Sequence, residues 1–269
     1  MKNVLFITIA SGQYYNKYIE NLYNSMIKHI KLDFDLLCLT DNNDNIDTEY
    51  IKKYMPALPW PFNTLMRYFY ILQHKSMIKK YKYVFYIDSD MLISSSIGDD
   101  ILSESVCVLH PGFYGKDKQE FSYEKNIIST AYLNENQKHL YYQGCFHGGT
   151  VKNFLKMTEV LSTNIQKDLN NNYIAEWHDE SHLNWYRFFN PPTLTLQPEY
   201  CMPEKWLGIK RKIIKIYKQT ICEENYEDDI LINTECNDVE TPSYNINYEC
   251  FTPKIIHLYK NHKKIRNIK

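Results

Sequence analysis

The stretch "YKYVFYIDSDMLISSS" (residues 81–96) sets an apolar run, Val84, Phe85, Tyr86 and Ile87, directly against Asp88, Ser89 and Asp90. Four bulky β-formers bounded by polar residues read as a buried strand. In open α/β sheets ligands bind beyond the carboxyl ends of the strands, and the acid pair stands at such an end. Two hard carboxylates one residue apart, with coordination positions left open, suit Mn²⁺ or Mg²⁺ bound together with substrate phosphates. An Asp-x-Asp after a strand also reads as a plain turn or helix cap, so the pair needs support from elsewhere in the chain.

Working outward, strands and helices alternate. Residues 3–10 read as a first strand. Tyr15, Ile19, Leu22, Met26 and Ile30 then recur at helical spacing, and 33–41 is a second strand. The segment 63–81 has Asn63 as a capping residue and apolar positions every three or four residues, which predicts one helix feeding the strand 83–87. A strand follows at 105–110 and a helix at 151–169. This order predicts an α/β fold with a mostly parallel sheet and helices on its faces. With no repeat or linker, 1–269 reads as one domain.

Composition narrows the partners. The net charge of −1 gives no reason to expect nucleic acid or an anionic membrane. Seven scattered cysteines form no C-x-x-C pattern, and no segment reaches the ~18–20 apolar residues that span a bilayer. A reduced, cytoplasmic setting without a transmembrane anchor is the expectation.

A second polar cluster is "WHDESHLN" (177–184), with Trp177, His178, Asp179, Glu180 and His182 in six positions. Three readings stand. His178 and His182 have the i, i+4 spacing of a zinc hydrolase, although Asp179 stands where a zincin has Glu. Alternatively Trp177 is a sugar platform, Asp179 binds hydroxyls and Glu180 faces an anomeric carbon. The plain reading is a capped helix start with His182 in the core.

Taken in order and spacing, "YVFYIDSDM", "LHPGFYG", "YYQGCFHGGT", "WHDESHLNWY" and "QPEYC" resemble glycosyltransferase family 6, that of the ABO blood-group and α-1,3-galactosyl-transferases. The resemblance runs from about residue 3 to 207 and resumes at 254–267. It implies a GT-A fold, a UDP-sugar donor and retaining transfer of galactose or N-acetylgalactosamine, in α-1,3 linkage, to a galactoside on an oligosaccharide or glycan acceptor. A degenerate relative that binds UDP-sugar or glycan without turnover is the alternative.

Residue by residue, the resemblance implies that Asp88 and Asp90, with Ser89 between them, hold Mn²⁺ (or Mg²⁺) against the diphosphate. Ile9, Ala10, Ser11 and Tyr14 match the nucleotide-binding turn, and Arg67 and Asp179 match donor contacts. Gln143, Gly144 and Cys145 fall where the sugar's C2 substituent is read, and Gly144, Gly148 and Gly149 would permit close backbone approach. His110, Ser122 and Trp177 match acceptor contacts. Glu180 matches the acid proposed as nucleophile or as stabiliser of an oxocarbenium-like state, and it also lies against the acceptor. Lys260 and Arg266 match basic residues of a C-terminal lid, 254–269, over the donor. Met202, Pro203 and Trp185 depart from the family pattern, and 208–253 reads as an insertion.

Overall fold

In a computed structural model of the chain, residues 3–44, 47–58, 60–134, 140–206 and 211–216 are described. They fall in one compact unit, Met1–Ile216. The expected lid, with Lys260 and Arg266, and most of the expected insertion lie outside the described residues.

The first apolar run forms β1 (Val4–Ile9), with Val4, Leu5, Phe6 and Ile7 each no more than 1% exposed. Burial of each such side chain contributes about 1.5–3 kcal/mol. β1 pairs in parallel with β2 (Phe34–Thr40) on one side and with β4 (Tyr83–Ile87) on the other. A short β3 (Ile51–Tyr54), not anticipated from sequence, pairs in parallel with β2. Between β1 and β2 runs α1 (Gln13–His29), which buries Tyr18, Ile19, Leu22 and Met26 on one face, as its periodicity requires.

Beyond β4 the sheet changes direction. β7 (Tyr142–Thr150) runs antiparallel to β4 and to β6 (Ser105–Leu109), and β8 (Leu194–Leu196) closes that edge parallel to β6. The order is β3-β2-β1-β4-β7-β6-β8, and β7 alone opposes the others. Its glycines are steric necessities. A Cβ on Gly148 would stand 2.3 Å from the Phe85 ring, and one on Gly149, at φ 142, would stand 2.3 Å from the Glu104 carbonyl.

The helix expected over 63–81 is three short ones: α2 (Phe62–Leu65), α3 (Arg67–Gln73) and α4 (Lys75–Ile78), broken at Met66 and His74. Asn63 does not cap. Its amide donates to Ser11 Oγ at 2.7 Å and its carbonyl accepts from the Leu58 N–H at 2.8 Å, tying the turn after β1 to the approach of α2. The long α5 (Val151–Asn170) appears where the sequence put it, and α6 (His178–Phe189) starts within the second polar cluster, with Trp177 rather than Asp179 at its N-cap. A separate small sheet, ordered β5-β10-β9, joins β5 (Met91–Ile93), β9 (Met202–Pro203) and β10 (Ile213–Lys215). Thus part of the expected insertion, 213–215, is a strand laid antiparallel on the residues that follow the acid pair.

Candidate active site

Asp88 leaves β4 still tied to β7, its N–H donating to the Cys145 carbonyl at 2.9 Å. Asp90 is 2% exposed, and its carbonyl accepts from the Ile216 N–H. The acid pair is therefore fixed between two sheets, β7 on one side and β10 on the other.

Among the described residues, Tyr86, Arg67 and Lys215 hold Asp88. The Tyr86 hydroxyl donates to Oδ1 at 2.9 Å, Arg67 Nη1 lies 3.5 Å from the same oxygen, and Lys215 Nζ lies 3.2 Å from Oδ2. Lys215 also stands 4.0 Å from Asp90 Oδ1. Partial burial lowers the Lys215 pKa, but Asp90 and Asp88 outweigh it and hold the ammonium well above the ordinary lysine range.

Arg67 joins the acid pair to the second cluster. Its Nε lies 3.1 Å from Asp179 Oδ2, its Nη1 donates to the Gly144 carbonyl at 3.2 Å, and its guanidinium carbon stacks 4.4 Å from the Tyr86 ring centre. The chain enters α6 through left-handed backbone at His178 (φ 51), a conformation costing roughly 1–2 kcal/mol for a residue with a Cβ. Trp177 is left 45% exposed, while Asp179 is buried at 2%. Glu180 Oε2 accepts from the Gly144 N–H at 2.8 Å, and the Tyr141 hydroxyl hydrogen-bonds to the same carboxylate.

These acids share a crowded, dry place. Burial pushes Asp179 up to about 7, with Asp88 and Glu180 adding to the rise and Arg67 opposing it. Burial also raises Glu180, while the Gly144 N–H, Tyr141, Lys215 and Arg67 pull it back. The arrangement can stabilise developing charge of either sign. Four carboxyl groups, Asp88, Asp90, Asp179 and Glu180, lie around two basic side chains, Arg67 and Lys215.

The structure thus gathers Arg67, Asp88, Asp90, Gly144, Asp179 and Glu180 in one place. Buried Ser89 sits within the same turn. Cys145 is 2% exposed and packs against Cys201, so it backs the site from the core. Gly144 is not required by close approach, because a Cβ there would meet only ordinary contacts of 3.5–3.7 Å. It contributes its N–H and its carbonyl. Gln143 keeps a buried Oε1 with no partner among the described residues.

The residues expected around the ligands take definite places. Ala10 and Ser11 are buried after β1, behind partly exposed Ile9 and Tyr14. His110 packs on Phe113 and Tyr141 and accepts from the Gly112 N–H through Nδ1 at 3.0 Å; burial lowers its pKa to about 4, so it is neutral at pH 7. The Ser122 carbonyl accepts from the Tyr141 hydroxyl at 3.4 Å, which places Ser122 and His110 beside the residue that supports Glu180. The zinc pair does not form a site. His182 is fully buried near Asp168, His178 packs edge-on to Trp60, and among the described residues no three His, Cys, Asp or Glu side chains are arranged to hold one metal ion.

Sequence reasoning missed Tyr86, Tyr141 and Lys215. Tyr86 carried a signal, since residues two apart on a strand share a face with Asp88. Tyr141 and Lys215 carried none.

The geometry and the motifs agree with what the chain resembles. The pattern for Glycosyltransferase family 6 matches residues 60–229. The chain belongs to that family. The O-antigen biosynthesis glycosyltransferase WbnI of Escherichia coli is 35% identical over 149 residues, 55% of this chain and 63% of its own length. The histo-blood group ABO system transferase 1 of Rattus norvegicus is 40% identical over 121 residues, 45% and 35% of the two chains. The human globoside alpha-1,3-N-acetylgalactosaminyltransferase 1 is 32% identical over 148 residues, 54% and 43%. The matched segments therefore span between about a third and two-thirds of these relatives. The family match starts at Trp60, so it takes in the acid pair, Gln143–Cys145 and the α6 acids but not the turn after β1. Among the described residues no helix is long and apolar enough to cross a membrane.

Proposed function

We propose that this family member transfers galactose from UDP-galactose, with N-acetylgalactosamine from its UDP-sugar as the alternative donor, to a galactoside in α-1,3 linkage with retention of configuration. The observation that carries the reading is Arg67, one guanidinium that contacts Asp88, Asp179 and the Gly144 carbonyl. It fastens the acid pair, the sugar-reading segment and the α6 acids into a single site.

The donor set fits a hard divalent cation: two carboxylates one residue apart at a strand end, held between two sheets. Such an ion, Mn²⁺ or Mg²⁺, would when bound draw charge from the departing diphosphate as a Lewis acid. Arg67 pairs with Asp88 and helps to orient it. Glu180, held by a backbone N–H and the Tyr141 hydroxyl, is the carboxylate to stabilise or attack the anomeric carbon as the bond to the diphosphate breaks. Trp177, half exposed at the mouth of α6, suits the apolar face of a sugar ring. Galactose is put before the acetamido sugar because Gln143, at the position where the resemblance has the C2 substituent read, carries a long side chain.

UDP release from UDP-galactose, followed with and without a galactoside, tests the reading. Acceptor-dependent release supports it. Donor binding without release in any UDP-hexose would instead mark a binding protein on a transferase scaffold.

A further inference from the structure

The ammonium of Lys215 occupies a place the proposed reaction does not assign. It reaches from β10, a strand of the small sheet, to within 3.2 Å of Asp88 Oδ2 and 4.0 Å of Asp90 Oδ1. These are the two carboxylates on which a divalent cation would sit. The contact is not a loose surface pair. The Asp90 side chain is 3% exposed, Asp88 19% and Lys215 27%. Backbone bonds fix both sides, since the Ile216 N–H donates to the Asp90 carbonyl at 2.8 Å and Lys215 is in register with Met91.

Two cations cannot share these oxygens without strong repulsion. A unit charge and a dication a few ångströms apart in a partly dry site repel twice as strongly as two unit charges at the same separation. We infer that Lys215 is an internal counter-ion that a divalent cation must displace from the Asp88–Asp90 pair, so that metal and nucleoside diphosphate bind this site cooperatively. The proposal rests on the acid pair being the metal site. Metal alone gains two carboxylates but drives a partly buried ammonium from its partners. Metal with a diphosphate also brings anionic oxygens to which the displaced ammonium can turn. The coupling is reciprocal, as linkage requires: the diphosphate raises metal affinity by the same factor as metal raises diphosphate affinity.

The test is Mn²⁺ binding, followed by electron paramagnetic resonance of the free ion, to the full chain with and without UDP. In the native protein Mn²⁺ alone should bind weakly, and UDP should tighten it on the order of a hundredfold, within the usual range of coupling energies. In Lys215→Met, Mn²⁺ alone should bind about tenfold or more tightly than to the native protein, and the enhancement by UDP should shrink. Lys215→Arg, which keeps the charge, should retain weak binding and strong coupling. Where Lys215→Met does not fold, Lys215→Gln gives the same reading. Equal or weaker Mn²⁺ binding in the neutral variant, with binding still abolished by Asp90→Asn, would overturn the counter-ion role and leave the metal site standing. Mn²⁺ binding unaffected by Asp90→Asn would overturn the metal site itself.

Discussion

The Tyr86 hydroxyl donates to Asp88 Oδ1 at 2.9 Å, while the ring of the same residue carries the Arg67 guanidinium at 4.4 Å. One strand residue thus sets the rotamer of an acid and the plane of its cationic partner. A hydrogen bond to a charged group is worth about 1.5–3 kcal/mol. Tyr86→Phe keeps the ring, and its expected effect is a loss of roughly tenfold or more in kcat/KM, with a fall in stability no larger than that bond's about 1.5–3 kcal/mol. Native activity in that variant would mean that Asp88 is held in place without the Tyr86 hydroxyl.

Glu180 is held by the Gly144 N–H at 2.8 Å and by Tyr141. If it acts on the anomeric carbon, it must be ionised, and Glu180→Gln removes the charge with little change in shape. We expect most of kcat to disappear while UDP affinity, by calorimetry, stays close to native. A parallel loss of UDP affinity would reassign Glu180 to donor binding.

Asp179 gives a stability dependence on pH. Its ordinary value is 3.8, and burial raises it in the folded protein to about 7. Between those values the folded state holds a proton that the unfolded state has lost, so this group makes stability fall as pH rises from about 4 to 7. The full swing is about 4 kcal/mol, at about 1.4 kcal/mol per pH unit. Tm measured across that window should decline less steeply in Asp179→Asn than in the native protein. Identical slopes in the two proteins would show that Asp179 titrates normally.

Removal of the divalent cation should weaken the donor complex. With EDTA present, UDP affinity and turnover should both fall, and Asp90→Asn should reproduce the effect with Mn²⁺ in excess, a loss of several kcal/mol in transition-state stabilisation, on the order of 100-fold or more in rate. Full turnover in EDTA would leave Arg67 and Lys215 as the only fixed cations stabilising the leaving group among the described residues.

Much of this site is legible in the sequence because its parts announce themselves locally. Continuous apolar runs give β1, β2, β4 and β6, and the periodicity of 151–169 gives α5. The segment "YQGCFHGGT" does not read as a strand, since glycine and polar residues weaken strand propensity. It becomes β7 because only glycine fits where Phe85 and Glu104 press in. The period over 63–81 is helical throughout, yet the helix restarts at Arg67, whose guanidinium is drawn inward by Asp179, Asp88 and Gly144. Lys215 was hidden in the basic run "KIIKIYK" (212–218), which no local rule separates from a solvated strand. That pattern returns as "KIIHLYK" (254–260), with Lys, Ile, Ile, Tyr and Lys in the same places. The resemblance drew attention to Lys260 in the second stretch, which lies outside the described residues. The first stretch supplies the cation that reaches the acid pair.

Retaining hexosyl transfer leaves its mark in the anomeric configuration of the product. The full chain is incubated with Mn²⁺, UDP-galactose and a plain or fucosylated galactoside, and the purified product is read by proton and carbon NMR. We predict a new galactose joined in α linkage to O3 of the acceptor galactose. A β-linked product, or none from UDP-galactose or UDP-N-acetylgalactosamine with either acceptor, would contradict retaining transfer by this protein.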